Sequence, residues 1–328
     1  MRRSTSFSMF MLAGTAFAAG CGDNDDDQTT TDPVSIVATA QETPSLSTLV
    51  AALEFASNDG DLVDLLSASG TLTVFAPSNA AFDALAVELT GNAGAKGADL
   101  LTAANKPLLR TVLTYHVLTT EVSAAAIPFG MPITSAEGSV FKIEAGSPPV
   151  VIDGRNRTAQ ITGTDIDASN GVIHLIDKVI LPADKNIVQT AQAAAGAATP
   201  EFTILVEAVV AADLAATLSG AGPFTVFAPT DDAFAALLGE LGATKDQLLA
   251  NKPLLVEVLT YHVVPGRVFE AAVPIDTPIT TVQSDSLSIN ADLTITDARG
   301  RTSNIVGTDV QTSNGVIHVI DKVLLPAQ

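Results

Sequence analysis

The residues that build aromatic pockets and disulfides are scarce in this sequence. Its 328 residues include no Trp, two Tyr and one Cys. A single Cys cannot form an intramolecular disulfide, and with so few large rings a pocket of stacked aromatic side chains is not expected. Basic residues are scarce too, since 16 Lys and Arg against 36 Asp and Glu leave a formal net charge of -20. This charge argues against nucleic-acid binding and against adsorption to an anionic membrane surface.

The motifs of common catalytic and metal sites are missing as well. The sequence has no Gly-x-Ser-x-Gly elbow, no phosphate loop ending in Gly-Lys-Ser/Thr and no His-x-x-x-His pair. Its four histidines are far apart, although His116 and His174 could meet in the fold. We therefore expect no enzyme activity, no cofactor and no metal. A two-histidine metal or catalytic site is the alternative.

The N-terminus resembles a bacterial export signal. Residues 1–20 combine a positive start with a short apolar run over Phe7–Ala19, and small residues precede Cys21. The run is too short to span a membrane comfortably, and the pattern predicts a lipoprotein-type signal peptide with lipidation at Cys21. Ordinary secretion, with Cys21 free or removed, is the alternative. Residues 21–33 are polar and acidic, which predicts a disordered spacer.

Three blocks of the sequence occur twice, in the same order. The pairs are TVFAPSNAAFDAL (73–85) and TVFAPTDDAFAAL (225–237), NKPLLRTVLTYHVL (105–118) and NKPLLVEVLTYHVV (251–264), and NGVIHLIDKVILP (170–182) and NGVIHVIDKVLLP (314–326). Fixed blocks separated by loops of changing length indicate two homologous domains. We place them at residues 34–183 and 186–328, joined by a linker of only Asp184 and Lys185.

Each copy has helical patterns first and strand patterns later. Ser45, Ser78 and Thr230 each precede an apolar pattern of helical spacing and are predicted N-caps. The segment TLTVFAP (71–77) predicts a short buried strand that stops at its proline. Helices followed by strands, repeated twice, indicate two α+β domains rather than alternating βαβ units.

The third block has a histidine among aliphatic residues in both copies. In a strand, His174 and His318 would have apolar neighbours on both faces, which predicts that the strand is buried. A buried imidazole needs hydrogen-bond partners and fixes the packing around it, so we interpret both histidines as structural core residues. The glycines before them, Gly171 and Gly315, are predicted to take a positive φ in the turn.

The segment before each of these turns is polar, with one aliphatic residue beside an aspartate. These pairs are Asp165-Ile166 and Asp309-Val310. We interpret the segment as an exposed loop beside a rigid strand, where the pair could contact a partner. The alternative is that the aliphatic side chain packs into the core and the aspartate hydrogen-bonds the turn.

Together, the three blocks resemble the fasciclin domain family. TVFAPSNAAF and NGVIHLIDKVILP are similar to its two signature boxes, and the Tyr-His after the apolar helix is similar to its central Tyr-His. The resemblance covers both copies. It implies an α+β fold in each domain, with a helical lobe packed on a wedge of β-strands. It also implies an extracellular adhesion or matrix role without catalysis.

In animal members of the family, the Asp-Ile pair and the Tyr-His region are linked to integrin binding. The resemblance therefore makes eight residues candidate partner contacts: Asp165, Ile166, Asp309, Val310, Tyr115, His116, Tyr261 and His262. For the Tyr-His pairs, packing with one hydrogen bond for each polar tip is the alternative interpretation.

These observations favour a non-catalytic pair of binding modules that mediates cell adhesion or matrix interaction. The expected partner is a cell-surface or matrix protein or a polysaccharide, not nucleic acid, and the membrane is reached only through the lipid anchor. We expect export to the bacterial cell envelope or cell surface, with a lipid anchor or otherwise by secretion. Because some fasciclin-domain proteins bind carotenoids, a carrier of a small apolar ligand is the alternative function.

Overall fold

The chain folds twice into nearly the same order of helices and strands. The structure, a computed structural model, describes residues 34–327. We call the elements from Ile36 to Ile176 the first domain and those from Ile187 to Ile320 the second domain. The predicted signal peptide (1–20), the spacer (21–33) and Cys21 lie outside the described residues. Both domains mix helices with strands, which confirms the predicted α+β class.

The first domain has its helical lobe at the start and its strands mostly at the end. Its helices are α1 (Ile36–Glu42), α2 (Ser47–Ala56), α3 (Asp61–Ser67), α4 (Asn79–Thr90) and α5 (Lys106–Tyr115). Its strands are β1 (Leu72–Pro77), β2 (Val117–Leu118), β3 (Pro132–Thr134), β4 (Val140–Glu144), β5 (Val150–Ile152), β6 (Thr158–Ala168) and β7 (Gly171–Ile176).

The second domain repeats this arrangement. Its helices are α6 (Ile187–Ala195), α7 (Thr203–Ala211), α8 (Ala215–Leu218), α9 (Asp231–Leu241), α10 (Lys245–Ala250) and α11 (Lys252–Tyr261). Its strands are β8 (Phe224–Pro229), β9 (Val263–Pro265), β10 (Ile279–Thr280), β11 (Ser286–Ile289), β12 (Thr294–Thr296), β13 (Thr302–Thr312) and β14 (Gly315–Ile320). Between residues 34 and 327, no helix has the length and apolar character that crossing a membrane requires.

Each domain forms one seven-stranded sheet. The strand order is β2-β1-β7-β6-β5-β4-β3 in the first domain and β9-β8-β14-β13-β12-β11-β10 in the second. Strand β1 pairs parallel with β7, and β8 pairs parallel with β14. The other neighbouring strands are antiparallel. The parallel pair places the first and third repeated blocks side by side in each sheet.

The helix of the first repeated block begins as predicted. The Ser78 hydroxyl accepts a hydrogen bond from the N–H of Ala81, and the Thr230 hydroxyl accepts one from the N–H of Ala233. A cap of this kind satisfies a main-chain donor that has no partner within the helix, and stabilises the helix by about 1 kcal/mol. The predicted N-caps at Ser78 and Thr230 are therefore confirmed.

The predicted N-cap at Ser45 is wrong. Ser45 lies in the 3-10 turn Pro44–Leu46, and α2 begins only after that turn. The capping acceptor comes from another helix, since the Asn79 side chain accepts a hydrogen bond from the N–H of Thr48 at 2.9 Å. In the second domain, Asp231 accepts two such bonds at the start of α7, at 2.8 and 3.0 Å. Asn79 and Asp231 each follow the N-cap of their own helix and also cap a second helix, so each joins two helices of its lobe.

Successive side chains of β1 point alternately into two apolar cores of the first domain. Val74 and Ala76 belong to the core between the sheet and the helices. Phe75 points to the opposite face, where the sheet folds over itself to form the strand wedge. There, the ring of Phe141 meets the rings of Phe75 and Tyr115 edge to face, with centroids 5.3 and 5.6 Å apart. The second domain has the same two cores.

The parallel strand pair leaves no room for a side chain at Gly171 or Gly315. A Cβ at Gly171 would lie 1.9 Å from the carbonyl oxygen of Leu72, and one at Gly315 would lie 2.1 Å from that of Phe224. Gly171 has the predicted positive φ, at 144°. Gly315 does not, so the predicted positive φ is wrong there. Glycine is needed at that position because the neighbouring backbone comes so close.

Replacing Gly171 by Ala is expected to lower the free energy of unfolding by about 3 kcal/mol, because the methyl group must push β1 away from β7. Gly239→Ala is the control, since a Cβ at Gly239 meets nothing within 4 Å. There alanine is expected to stabilise α9 by up to about 1 kcal/mol. Urea unfolding of both variants tests the prediction, and a Gly171→Ala midpoint equal to that of the wild type would contradict it.

Candidate functional site

The Asp-aliphatic pairs lie in strands and not in loops, which corrects the sequence-based interpretation. The segment before the last turn is part of β6 in the first domain and of β13 in the second, each 11 residues long. The strand register shifts at Asp165 and at Asp309, which marks a β-bulge in each strand. Both aspartates have left-handed backbone, with φ of 53° and 58°. Asp is among the residues that adopt this conformation most readily.

A buried histidine supports each bulge. The main-chain N–H of Asp165 donates to Nδ1 of His174 at 3.3 Å, and Nε2 of His174 donates to the carbonyl oxygen of Val122 at 2.8 Å. The same two bonds join Asp309, His318 and the matching carbonyl in the second domain, at 3.3 and 2.9 Å. Because an N–H only donates and a carbonyl only accepts, both rings are neutral with the proton on Nε2. The structure thus places both histidines in the core, where they fix the bulge backbone.

The Tyr-His pairs also lie in the core, which corrects the expectation that they contact a partner. Tyr115 and Tyr261 are fully buried, and His116 and His262 are 1% and 2% exposed. Each tyrosine hydroxyl donates to a strand carbonyl and accepts from a main-chain N–H, at distances of 2.7 to 2.9 Å. Each histidine donates from Nδ1 to the carbonyl four residues earlier and accepts at Nε2 from another main-chain N–H. The structure therefore favours the packing interpretation.

These hydrogen bonds leave no ring nitrogen free for a metal or for proton transfer. All four histidines use both nitrogens in bonds to the main chain. Burial lowers the pKa of His116 and of His262 to about 4. Within residues 34–327, no three His, Cys, Asp or Glu side chains cluster as a metal site requires. A two-histidine site at His116 and His174 has no geometric support.

The two bulges differ in exposure because the domains pack against each other at one of them. Asp165 is exposed, and its Oδ1 accepts a main-chain hydrogen bond at 2.8 Å. Asp309 is 4% exposed, since Lys142 of the first domain covers it. Ile166 and Val310 are both half-buried against the helical core of their own domain. Of the two pairs, the one at Asp165 is therefore the one that a partner can reach.

An ion pair and a set of hydrogen bonds join the domains at the second bulge. Lys142 Nζ lies 2.8 Å from Oδ2 of Asp309, with side-chain exposures of 9% and 2%. The Gln311 side chain donates to two first-domain carbonyls, each at 3.0 Å. The Asn156 side chain exchanges two hydrogen bonds with the main chain of Gln311, at 2.7 and 3.1 Å. Both domains accordingly belong to one compact unit.

This interface is not predicted from the sequence, although the two copies differ at three of its residues. The two domains can be aligned through the equivalent hydrogen bonds of their tyrosines and of their bulges. In this alignment three interface residues differ from their counterparts in the other domain: Lys142 corresponds to Ser288, Asn156 to Gly300, and Gln311 to Asp167. Positions that differ between otherwise similar copies are candidates for contacts that only one copy makes. The sequence alone does not say which of these differences face the other domain.

Known proteins match both halves of the chain. The profile of the Fasciclin domain family matches residues 44–182 and 200–326. Protein sll1483 of Synechocystis sp. is 46% identical over 128 residues, which are 38% of this chain and 67% of that protein. The cell surface glycolipoprotein MPB83 of Mycobacterium bovis is 39% identical over 118 residues, which are 35% of this chain and 48% of that protein.

Two further comparisons extend over both domains. The transforming growth factor-beta-induced protein ig-h3 of Sus scrofa is 30% identical over 258 residues, which are 78% of this chain but 35% of that protein. The chain thus spans about a third of that relative's length. A solved FAS1 domain pair from the insect cell adhesion molecule Fasciclin I covers 87% of this chain and 98% of its own, at 17% identity and a TM-score of 0.41. Because the family profile matches more than half of the 328 residues, the chain belongs to the fasciclin domain family.

Proposed function

We propose that this protein is a non-catalytic binding protein of the cell surface, which attaches the cell to a matrix protein, a polysaccharide or another cell. The proposed contact is the first-domain bulge at Asp165 and Ile166. The observation that carries the proposal is the difference between the two bulges. Both are built in the same way, but Asp309 is covered by the neighbouring domain while Asp165 is exposed.

The bulge at Asp165 suits recognition because it is both exposed and fixed. Its main-chain N–H is bonded to the buried ring of His174, and its Oδ1 accepts the N–H of Ala124. Ile166 packs against the helical core. A contact that is already ordered loses little conformational entropy when a partner binds. A carboxylate held this way also offers its second oxygen in a defined direction.

The same proposal places the protein at the bacterial cell surface. One relative is by name a cell surface glycolipoprotein. Lipidation at Cys21 would hold the chain at the cell envelope, and secretion without the lipid would release it to the matrix. Both routes give the described domains access to extracellular partners. The absence of catalytic activity belongs to this proposal too, and the engagement of every histidine ring nitrogen supports it.

Asp165→Asn is expected to weaken attachment about tenfold, which corresponds to about 1.4 kcal/mol, because it removes the charge but keeps an oxygen that accepts the Ala124 N–H. The measurement is cell aggregation and biofilm formation by a deletion strain that expresses each variant. Asp167→Asn is the matched control, since Asp167 is also exposed and lies two residues further along the same strand. Unchanged attachment in the deletion strain, or equal attachment by Asp165→Asn and the wild type, would contradict the proposal.

The alternative function, a carrier of a small apolar ligand, finds little room in the apolar cavities of the second domain. Two of these cavities, one beside Leu205 and one beside Phe234, measure about 30 and 80 Å³. Both are far smaller than small-molecule sites, which measure about 300–1,000 Å³. Neither cavity therefore favours the carrier over the attachment protein.

A further inference from the structure

A cleft of about 560 Å³ lies between the two domains. Its volume is in the range of small-molecule sites, about 300–1,000 Å³. The first domain contributes Thr134, Ser139 and Gly154 to its wall, and the second contributes Arg267 and Ser313. Hydroxyl groups, apolar side chains such as Val140 and Pro223, and one guanidinium thus form the wall. Neither domain forms this cleft alone.

Arg267 is a half-buried cation without a carboxylate partner in the described part of the chain. Its one hydrogen bond is long, from Nη2 to the carbonyl oxygen of Ser313 at 3.4 Å. Burial lowers the pKa of its guanidinium, and the nearby Tyr115 raises it less. Four other arginines do form ion pairs with carboxylates: Arg110, Arg155, Arg157 and Arg301. In a chain with 36 acidic residues, a half-buried arginine without one is a candidate anion-binding group.

Hydroxyl side chains line the cleft together with Arg267. Ser139 of the first domain is half-buried and Ser313 of the second is exposed, and both line the cleft. A hydroxyl group both donates and accepts hydrogen bonds, so these side chains can bond to the hydroxyl groups of a ligand.

Only the second domain has a positive charge at the position of Arg267. The Thr73 hydroxyl accepts a hydrogen bond from the N–H of Val122, and the Thr225 hydroxyl accepts the equivalent bond from Val268. The residue before Val268 is Arg267, and the residue before Val122 is the exposed Glu121. The repeat therefore carries opposite charges at this position. The arginine occurs in the copy whose position faces the cleft, which is the arrangement expected if the charge serves the cleft rather than the fold.

We propose that the interdomain cleft binds an acidic saccharide, with Arg267 holding the carboxylate of a uronic acid unit and the hydroxyls of Ser139 and Ser313 forming hydrogen bonds with sugar hydroxyls. The planar guanidinium matches a carboxylate in a two-point geometry. The proposal names a ligand class for the attachment function and rests on it. The saccharide site is separate from the attachment contact at Asp165, because the cleft and the bulge are built from different residues.

Titration calorimetry of the purified full chain with digalacturonate tests this proposal. We expect Arg267→Gln to weaken binding by about tenfold or more, and the corresponding neutral galactose disaccharide to bind at least about tenfold more weakly than digalacturonate. Lys178→Gln is the charge-matched control, because Lys178 is exposed and outside the cleft. Ser313→Ala is expected to weaken binding while leaving the melting temperature unchanged, since Ser313 is exposed and lines the cleft.

The outcomes separate the cleft from the attachment proposal. Equal binding by Arg267→Gln and the wild type, or no binding of digalacturonate by the wild type, overturns the cleft proposal. Inorganic phosphate that binds as tightly as digalacturonate also overturns it, because the site would then recognise an anion without a sugar. If attachment still depends on Asp165 in that case, the proposed function stands and only the cleft fails. If digalacturonate binds through Arg267 but cells attach equally well without the protein, the cleft binds the saccharide and the proposed attachment function fails.

Discussion

Replacing Lys142 by Met is expected to lower the free energy of unfolding by about 3–5 kcal/mol and to uncouple the two domains. The variant keeps the shape of the side chain but leaves the carboxylate of Asp309 without its cation. That carboxylate is nearly inaccessible to water, with 2% of its side chain exposed. A buried charge that loses its partner cannot recover its hydration, and this accounts for the size of the expected loss.

The protonation of Lys142 sets the pH range of this stabilisation. Burial lowers the pKa of Lys142. The hydrogen bonds to Asp309 and Glu144 raise it by more than burial lowers it, so the pKa lies above its usual value of 10.5. A lysine with a raised pKa stabilises the folded state fully below its unfolded pKa. The contribution is lost as the pH rises through the folded value. The effect of Lys142→Met should therefore be measured at neutral pH, where it is complete.

Differential scanning calorimetry and urea unfolding measure the prediction. We expect one cooperative transition for the wild type and two for Lys142→Met. Glu144→Gln is the control, because Glu144 contacts the same lysine but its side chain is 46% exposed, and removing an exposed partner costs about 1 kcal/mol or less. The double variant Lys142→Met/Asp309→Asn should recover part of the loss, since the unpaired charge is gone. A single transition with wild-type stability for Lys142→Met would contradict the prediction.

Acidification from pH 7 to pH 4 is expected to destabilise the protein by about 3 kcal/mol for each of His116 and His262. Burial, the largest cause in both cases, lowers their pKa from 6.5 to about 4. In the unfolded chain the same rings take up protons near pH 6.5, so the unfolded state binds more protons between these values. Each pH unit in that window then costs about 1.4 kcal/mol per histidine. The stability rises with pH through the window and levels off above it.

Variants of the two histidines test this pH dependence. His116→Gln keeps an oxygen that can accept the N–H of Ile180, which bonds Nε2 of the wild-type ring at 3.1 Å. It is expected to be less stable at pH 7 but to lose about 1.4 kcal/mol per pH unit from the slope of stability against pH between pH 6.5 and 4. His262→Gln should behave alike in the second domain. Each variant leaves every carboxylate in place, so the difference in slope reports the histidine. Identical slopes for His116→Gln and the wild type would show that the ring does not carry the effect.

The repeated local patterns of this sequence predict a large part of the fold. The N-caps at Ser78 and Thr230 and the short strand that ends at Pro77 depend on neighbours within a few residues, and all three lie where the patterns place them. The failure at Ser45 has a tertiary cause. There, the capping acceptor is the side chain of Asn79, from another helix, which makes the local cap unnecessary.

The candidate site could be predicted less well, because exposure is not a local property. Asp165 and Asp309 both follow a Gly-Thr pair in sequence, and they have the same bulge and the same histidine support. One is exposed and the other is 4% exposed. The difference comes from Lys142, which is separated from Asp309 by 167 residues. The Tyr-His pairs show the same limit, since their polar atoms find main-chain partners in strands that follow much later in the chain.

By itself, the sequence determined that there are two domains of one family, their α+β class and the positions of the repeated elements. These features follow from periodicity, capping and repetition, which act over short distances along the chain. Only the tertiary structure decided which of two equivalent bulges is exposed, that Lys142 binds Asp309, and that a cleft with an unpaired Arg267 lies between the domains. The physical reason is that burial and ion pairing depend on which surfaces meet, and the residues that join the two domains, such as Lys142 and Gln311, are ones in which the copies differ.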